Sequence, residues 1–108
     1  MDSLKNLTEK IDAFNKVRDW DQFHSPANLA KSISIEANEL LECFQWSDDN
    51  YDIEDVKSEL ADVINYCIQM ATKLDLDIEE IVLKKLAETE KKYPVAKAKG
   101  VSTKYNKL

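Results

Sequence analysis

The chain contains 108 residues, 44% of them hydrophobic and 33% charged, with a formal net charge of −6. These values predict one soluble globular domain, residues 1–108, and exclude an intrinsically disordered chain. The acidic balance makes the chain a poor binder of nucleic-acid polymers, and no apolar run approaches the roughly 18 residues of a membrane span.

The cysteines and the N-terminus indicate a reducing compartment. Cys43 and Cys67 lack the spacing of a metal or redox motif, and both fall on apolar helical faces, so we expect buried thiols. The first residues also lack the apolar core of a signal peptide. We therefore expect a cytoplasmic protein.

Helices are the predicted elements throughout, because the chain has one Gly and two Pro. Apolar residues at three- and four-residue spacing predict a first amphipathic helix over residues 3–18. The next segment, residues 20–27, breaks this pattern and gathers Trp20, Phe23 and His24. Such a group of aromatic side chains either fills the core or lines a pocket.

Two further helices are predicted at residues 26–46 and about 53–74. Ser25 and Pro26 are typical of an N-cap and a first helical position. Asp52 or a neighbouring residue is the predicted cap of the later helix. The short connection between the two helices predicts that they are antiparallel neighbours.

A fourth helix is expected to run from Asp77, an N-cap with an acid three residues later, to about Lys92. It should end there because Tyr93 precedes Pro94. The C-terminal part is basic: residues 84–108 carry eight Lys against two Glu, a net charge of +6. These lysines either contact phosphate groups or form a solvated tail.

Four acids on the two middle helices form the central pattern of the sequence. Glu36 and Glu39 are three residues apart, as are Glu59 and Asp62, and residues at this spacing are neighbours on one helix face. At about 100° per residue, Glu36 and Glu59 lie on the apolar stripes of their helices. Glu39 and Asp62 lie at the edges of those stripes. Both pairs are therefore predicted to point toward the core.

Converging carboxylates in an apolar setting require either protons or cations, because an unpaired buried charge costs several kcal/mol. A site made only of carboxylates suits Mg²⁺, with Mn²⁺ as a possible substitute. Because Mg²⁺ readily binds phosphate oxygens, the pattern indicates a substrate that carries phosphate. The alternative is that the four acids are ordinary surface charges.

The spacing Glu36-x-x-Glu39 and Glu59-x-x-Asp62 resembles the metal motif of the MazG-like all-α nucleoside triphosphate pyrophosphohydrolases. Further motifs resemble the dCTP pyrophosphatase branch of that family, and the resemblance runs from about residue 15 to the C-terminus. These motifs are Arg18-Asp19-Trp20-Asp21-Gln22-Phe23-His24, Phe44-Gln45-Trp46, Glu59-Leu60-Ala61-Asp62-Val63-Ile64-Asn65-Tyr66, Lys92-Tyr93-Pro94 and Lys104-Tyr105.

The resemblance implies an all-α fold like a four-helix bundle, with an antiparallel acidic hairpin, assembled as a homodimer or homotetramer. It implies that Glu36, Glu39, Glu59 and Asp62 bind Mg²⁺ and form the catalytic centre. Glu39 is the candidate general base because of its edge position. The implied reaction converts a nucleoside triphosphate, dCTP or a modified dCTP, to monophosphate and pyrophosphate, which would cleanse the nucleotide pool.

The resemblance also implies substrate contacts by residues outside the acid motif. For the nucleoside, the candidates are Trp20, His24, Trp46 and Tyr66. In the basic C-terminal part, the candidates are Lys85, Thr89, Lys92 and Tyr93, and Lys104 and Tyr105 are weaker candidates. Thr89 departs from the pattern, since dCTP pyrophosphatases carry an Asn there, and this departure leaves the base preference open.

Other interpretations of the same residues stay open. Without the resemblance, Trp46 and Tyr66 fit core packing equally well, and His24 fits a surface or hydrogen-bonded histidine. The same enzyme could act on dUTP or on a damaged purine triphosphate. A different class of protein, a non-catalytic helical module that binds a metal for interaction or regulation, also fits the acids.

Overall fold

The computed structural model of the chain describes residues 3–108. Every regular element in that range is helical, which confirms the all-α prediction. The α-helices are α1 Ser3–Val17, α2 Pro26–Glu42, α3 Ile53–Lys73, α4 Ile78–Lys92 and the short α5 Val95–Ala98, with 3₁₀ turns at Asp21–Phe23 and Tyr105–Lys107. None of the helices in this range has the combination of length and apolar character needed to cross a membrane.

The described chain divides into two compact units, residues 3–76 and Asp77–Leu108. In the first unit, α3 packs against α2 and against α1, and α2 and α3 form the predicted antiparallel hairpin. The prediction of a single domain over residues 1–108 stays a prediction.

The predicted caps of the two hairpin helices are confirmed. Ser25 Oγ accepts a hydrogen bond from the Asn28 amide at 3.1 Å, with Pro26 in the first turn of α2. Asp52 Oδ1 accepts from the Glu54 amide at 2.9 Å. Each of these bonds satisfies a backbone N–H that the helix itself cannot pair, so both helices begin where the sequence predicts.

The second unit begins with the third predicted cap. Asp77 Oδ1 accepts from the Glu80 amide at 3.1 Å at the start of α4. After α4 the chain returns on itself, because the Tyr105 amide donates to the Tyr93 hydroxyl at 3.1 Å and the two rings are 6.1 Å apart. These contacts hold the C-terminal segment against the end of α4.

The prediction that α2 reaches Trp46 is wrong, because α2 ends at Glu42. The amides of residues 43–45 bond to carbonyl groups three residues earlier, so the chain tightens and leaves the α-helical path. The ring of Phe44 packs 4.8 Å from that of Tyr51 within the connection. Trp46 consequently lies in the connection, with 89% of its surface exposed.

The prediction that both cysteines are buried is also wrong. Cys43 is half-buried and Cys67 is exposed. Cys67 shares a face of α3 with Ile53, Leu60 and Ile64, which are 44–52% exposed. This apolar face is open to solvent in the single described chain, and the Cys67 side chain is open with it.

The core of the first unit is small. Within residues 3–108, the fully buried apolar residues are Leu29 of α2 and Ile68 and Ala71 of α3. Asn15 of α1, 5% exposed, is the buried polar residue beside them. A core of this size contains little apolar surface for a chain of this length, and small domains of this kind are often stabilised by oligomerisation.

Candidate active site

The α2–α3 hairpin brings the four predicted acids together. One carboxylate oxygen each from Glu36, Glu59 and Asp62 lie within 4.8 Å of one another. Glu39 lies within hydrogen-bonding reach of both Glu36 and Glu59. Glu36, Glu39 and Glu59 are half-buried, whereas Asp62 is exposed.

The local helical pattern explains why these acids point inward. On α2, Glu36 shares its stripe with the buried Leu29 and the half-buried Ile33. On α3, Glu59 shares its stripe with the half-buried Val63 and Tyr66. Burying the apolar members of each stripe turns the glutamates toward the helix interface, because all of them lie on one face of a helix.

The crowding of the carboxylates raises their affinity for protons. The pKa of Glu36 rises from 4.5 to about 7, first because of its hydrogen bond with Glu39, then because of partial burial and the charges of Glu39, Asp62 and Glu59. The pKa of Glu59 is also raised, again mainly by the hydrogen bond with Glu39 and then by partial burial. A cluster that holds protons near neutral pH also offers high affinity for a cation, since the same repulsion drives both.

Two oxygens in the cluster have unmet hydrogen-bonding capacity. Oε2 of Glu36 and Oε2 of Glu59 are buried and lack a hydrogen-bond partner among the described residues. A buried polar atom left in this state is costly, and a bound cation would compensate both oxygens together. A donor set made of carboxylate oxygens fits a hard divalent ion such as Mg²⁺. The residues present therefore fit the ion that the sequence implies.

A cavity of about 310 Å³ adjoins the acid cluster, and Asp62 belongs to both. Three predicted substrate contacts, Trp20, His24 and Tyr66, line this cavity. The Nδ1 atom of His24 is buried without a hydrogen-bond partner in the described chain. The remaining lining residues are Lys10, Ile11, Phe14, Asn15, Asn65 and Gln69. Aromatic walls with a few polar groups are typical of a small-molecule site.

The segment after α1 is positioned by its contacts with that helix. The Trp20 amide donates to the carbonyl of Asn15 at 3.0 Å, and the Trp20 ring meets the edge of the Phe14 ring at 5.6 Å. Asp19 has a φ of 54°, a left-handed conformation that Asp adopts more readily than most residues. Trp20 is 44% exposed, so the segment lines a pocket and does not fill the core.

Sequence reasoning missed three amide side chains in the cavity. Asn15 Nδ2 donates to Gln69 Oε1 at 3.0 Å, and Gln69 Nε2 donates to Asn65 Oδ1 at 2.8 Å. Asn65 and Gln69 lie three and seven residues after Asp62, on the same face of α3. Their spacing of three and seven residues from Asp62, on the face beside the stripe that carries Tyr66, is the signal that could have identified them.

The other predicted contacts have different surroundings. Trp46 lies in the α2–α3 connection and is exposed. In the second unit, Lys85 Nζ lies 3.6 Å from Glu88, Thr89 Oγ1 donates to the Lys85 carbonyl at 3.0 Å, and Lys92 Nζ lies 4.7 Å from the centre of the Tyr105 ring. Tyr93 accepts from the Tyr105 amide, as described above. Substrate contact by these residues stays a prediction.

Comparison with known proteins gives a consistent result. The MazG-like family matches residues 31–108. The dCTP pyrophosphatase 1 proteins of Mus musculus and Homo sapiens are 33% and 34% identical to the chain. Each alignment is 115 positions long and covers 98% of this chain and 68% of the relative. The crystal structure of a pyrophosphatase from Archaeoglobus fulgidus is 34% identical, with a TM-score of 0.78 over 87% of this chain and 94% of that one. The chain therefore belongs to the MazG-like family, in the branch of the dCTP pyrophosphatases.

Proposed function

We propose that this chain hydrolyses dCTP, or a modified dCTP, to the monophosphate and pyrophosphate in a reaction that depends on Mg²⁺. That the chain is a pyrophosphohydrolase enzyme follows from its family and relatives; the substrate and the ion are what we propose. One observation carries the proposal: Asp62 belongs to the acid cluster and also lines the aromatic cavity. A triphosphate at the acids would therefore have its nucleoside in that cavity.

The acid cluster supplies the metal site. The residues that would hold Mg²⁺, with Mn²⁺ as a possible substitute, are Glu36, Glu39, Glu59 and Asp62. The bound ion would also compensate the Oε2 atoms of Glu36 and Glu59, which lack a hydrogen-bond partner among the described residues. When bound, such an ion neutralises phosphate charge and lowers the pKa of a coordinated water. Glu39, which reaches both other glutamates, is the proposed general base for that water.

The cavity supplies recognition of the nucleoside. Trp20 and Tyr66 provide aromatic faces for stacking, an interaction that contributes about 1–3 kcal/mol per base in proteins that bind single strands. His24 also lines the cavity, and its imidazole is a proposed contact to the sugar or base. Trp46, Lys85, Thr89, Lys92 and Tyr93 remain proposed contacts from outside this cavity, as do Lys104 and Tyr105.

The chain is also proposed to assemble as a homodimer or homotetramer. The α3 face that carries Ile53, Leu60 and Ile64 is apolar and 44–52% exposed, and the core of the described chain is small. Burying such a face against a second copy would remove it from water.

The molar mass measured by light scattering should be a multiple of 12.4 kDa. Leu60→Lys should shift the mass to the monomer, whereas Glu54→Lys should not. A monomeric wild type would contradict the proposal.

The decisive experiment measures pyrophosphate and monophosphate release from a panel of deoxynucleoside, ribonucleoside and modified dCTP substrates, with Mg²⁺ and with chelator. We expect turnover of dCTP that needs the metal and is lost in Glu59→Gln. The control is Glu54→Gln, on the same helix, whose carboxylate is exposed and pairs with Lys57 at 3.1 Å. A folded protein that binds Mg²⁺ and hydrolyses no triphosphate would overturn the proposal.

A further inference from the structure

Three carboxamides connect α1 to α3 in a single hydrogen-bonded series along one wall of the cavity, here called the amide relay. Asn15 Nδ2 donates to Gln69 Oε1 at 3.0 Å, and Gln69 Nε2 donates to Asn65 Oδ1 at 2.8 Å. Asn15 is 5% exposed, and Gln69 and Asn65 are half-buried. A buried polar series of this kind holds its members in defined orientations, because turning one amide breaks the bonds of its neighbour.

The relay determines which end of the Asn65 amide is available. The oxygen of Asn65 accepts from Gln69, and the oxygen of Gln69 accepts from Asn15. The NH₂ group of Asn65 is therefore left to donate, and Asn65 lines the cavity. A carboxamide can present either a donor or an acceptor to a ligand, and with its oxygen bonded to Gln69 the Asn65 side chain presents its donor.

Asn65 lies one helical turn beyond Asp62, and Gln69 lies about one turn further along α3. Both line the same cavity as Trp20 and Tyr66. A nucleotide whose phosphates meet the acid cluster would thus place its base along the wall that carries the relay. The donor of Asn65 would then face an edge of the base, with the aromatic side chains available to its faces.

We propose that Asn65 selects cytosine over uracil and thymine by donating a hydrogen bond to N3 of the pyrimidine, with Gln69 and Asn15 as positioning residues; this inference rests on the proposed function. N3 of cytosine carries a lone pair and accepts. N3 of uracil or thymine carries a hydrogen, which would oppose the N–H of Asn65 and leave both donors unpaired. A site built around a hydrogen bond discriminates strongly against a ligand that cannot form it.

The relay provides a test that leaves Asn65 itself in place. In Gln69→Glu, measured at alkaline pH where the new carboxyl group is ionised, position 69 only accepts hydrogen bonds. It keeps the bond from Asn15 Nδ2 and takes a second from Asn65 Nδ2, so Asn65 turns its oxygen toward the cavity. We expect the ratio of kcat/KM for dCTP to that for dUTP to fall by about 10-fold or more.

A second variant acts from the far end of the relay. In Asn15→Asp, the carboxylate accepts from Gln69 Nε2, Gln69 turns its oxygen to Asn65, and the same fall in the dCTP to dUTP ratio should result. Gln69→Met breaks the series without reversing it, so the ratio should move toward one. Gln45→Glu, an exposed change of the same type in the α2–α3 connection, is the matched control and should keep the wild-type ratio.

The outcomes separate this inference from the proposed function. A purely structural relay would lower both activities in parallel and leave the ratio unchanged, which would overturn the inference while dCTP hydrolysis stands. A wild type that hydrolyses dCTP and dUTP equally would also overturn it. If no triphosphate is hydrolysed, the proposed function itself fails. If Gln69→Glu does not fold, Asn65→Leu decides: a ratio near one supports the inference, and an unchanged ratio overturns it.

Discussion

Glu36 and Glu59 face each other across the α2–α3 hairpin, and each carries a buried Oε2 atom without a hydrogen-bond partner in the described chain. Their pKa values are raised for the same two reasons, since each lies within hydrogen-bonding reach of Glu39 and each is partly buried. Both glutamates therefore hold a proton more tightly than an isolated glutamate does. This relationship leads to predictions about stability, metal affinity and catalysis.

The stability of the metal-free protein should decrease as the pH rises. A carboxyl group whose pKa is raised from 4.5 to about 7 binds a proton more tightly in the folded than in the unfolded state. Its contribution to the free energy of unfolding is complete below 4.5 and is lost as the pH rises through about 7.

Thermal unfolding followed by circular dichroism, with chelator present, should give a lower Tm at about pH 8 than at about pH 5. Mg²⁺ should restore the Tm at the higher pH. Glu36→Gln should flatten the dependence of Tm on pH, because the carboxyl group whose pKa rises to about 7 is then absent. A wild-type Tm that is constant over this range would show that the cluster does not hold its protons.

The affinity for Mg²⁺ should increase as the pH rises through about 7, because protons and the metal compete for the same oxygens. Isothermal titration calorimetry at several pH values should show a tightening Kd and proton release on binding, detected as a dependence of the measured heat on the buffer. Glu54→Gln serves as the control and should behave as the wild type. Binding that is independent of pH would place the metal elsewhere.

Glu39→Gln should separate catalysis from metal binding. If Glu39 is the general base, kcat at saturating Mg²⁺ should fall by about 10²- to 10⁴-fold. The pH dependence of Mg²⁺ binding should shift to lower pH, because the group that raises the pKa values of Glu36 and Glu59 has lost its charge. Glu42→Gln, an exposed change on the same helix, should leave kcat unchanged. Full kcat in Glu39→Gln at saturating metal would remove Glu39 from this role.

His24→Phe should weaken substrate binding without weakening the fold. The buried Nδ1 of His24 lacks a partner in the described chain, so removing it relieves an unsatisfied atom. Losing one hydrogen bond to the substrate should raise KM by roughly 2- to 12-fold. Tm should stay the same or rise. His24→Asn, which keeps a polar side chain at this position, should recover part of the affinity. A lower Tm with an unchanged KM would indicate a structural histidine.

Local features of the chain were predictable from its sequence. The caps at Ser25, Asp52 and Asp77 and the spacing of the four acids depend on residues a few positions apart. Helical periodicity alone places Glu36 and Glu59 among apolar neighbours. The short α2–α3 connection then makes the convergence of Glu36, Glu59 and Asp62 a local consequence, which is why their proximity follows from the sequence.

The tertiary structure decided what depends on distant parts of the chain. The bond between Asn15 and Gln69 joins residues 54 positions apart, and no periodicity predicts it. Helical periodicity also does not predict the surroundings of Trp20 and Cys67. Trp20 lines a cavity that lies between α1 and α3, and Cys67 lies on a face of α3 that is exposed to solvent. The end of a helix and the exposure of a side chain also depend on packing. In the α2–α3 connection, for example, the rings of Phe44 and Tyr51 pack against each other just after α2 ends. The sequence by itself therefore determined the helices and the acid cluster, whereas the cavity and the orientation of its amides arise only when α1 packs against α3.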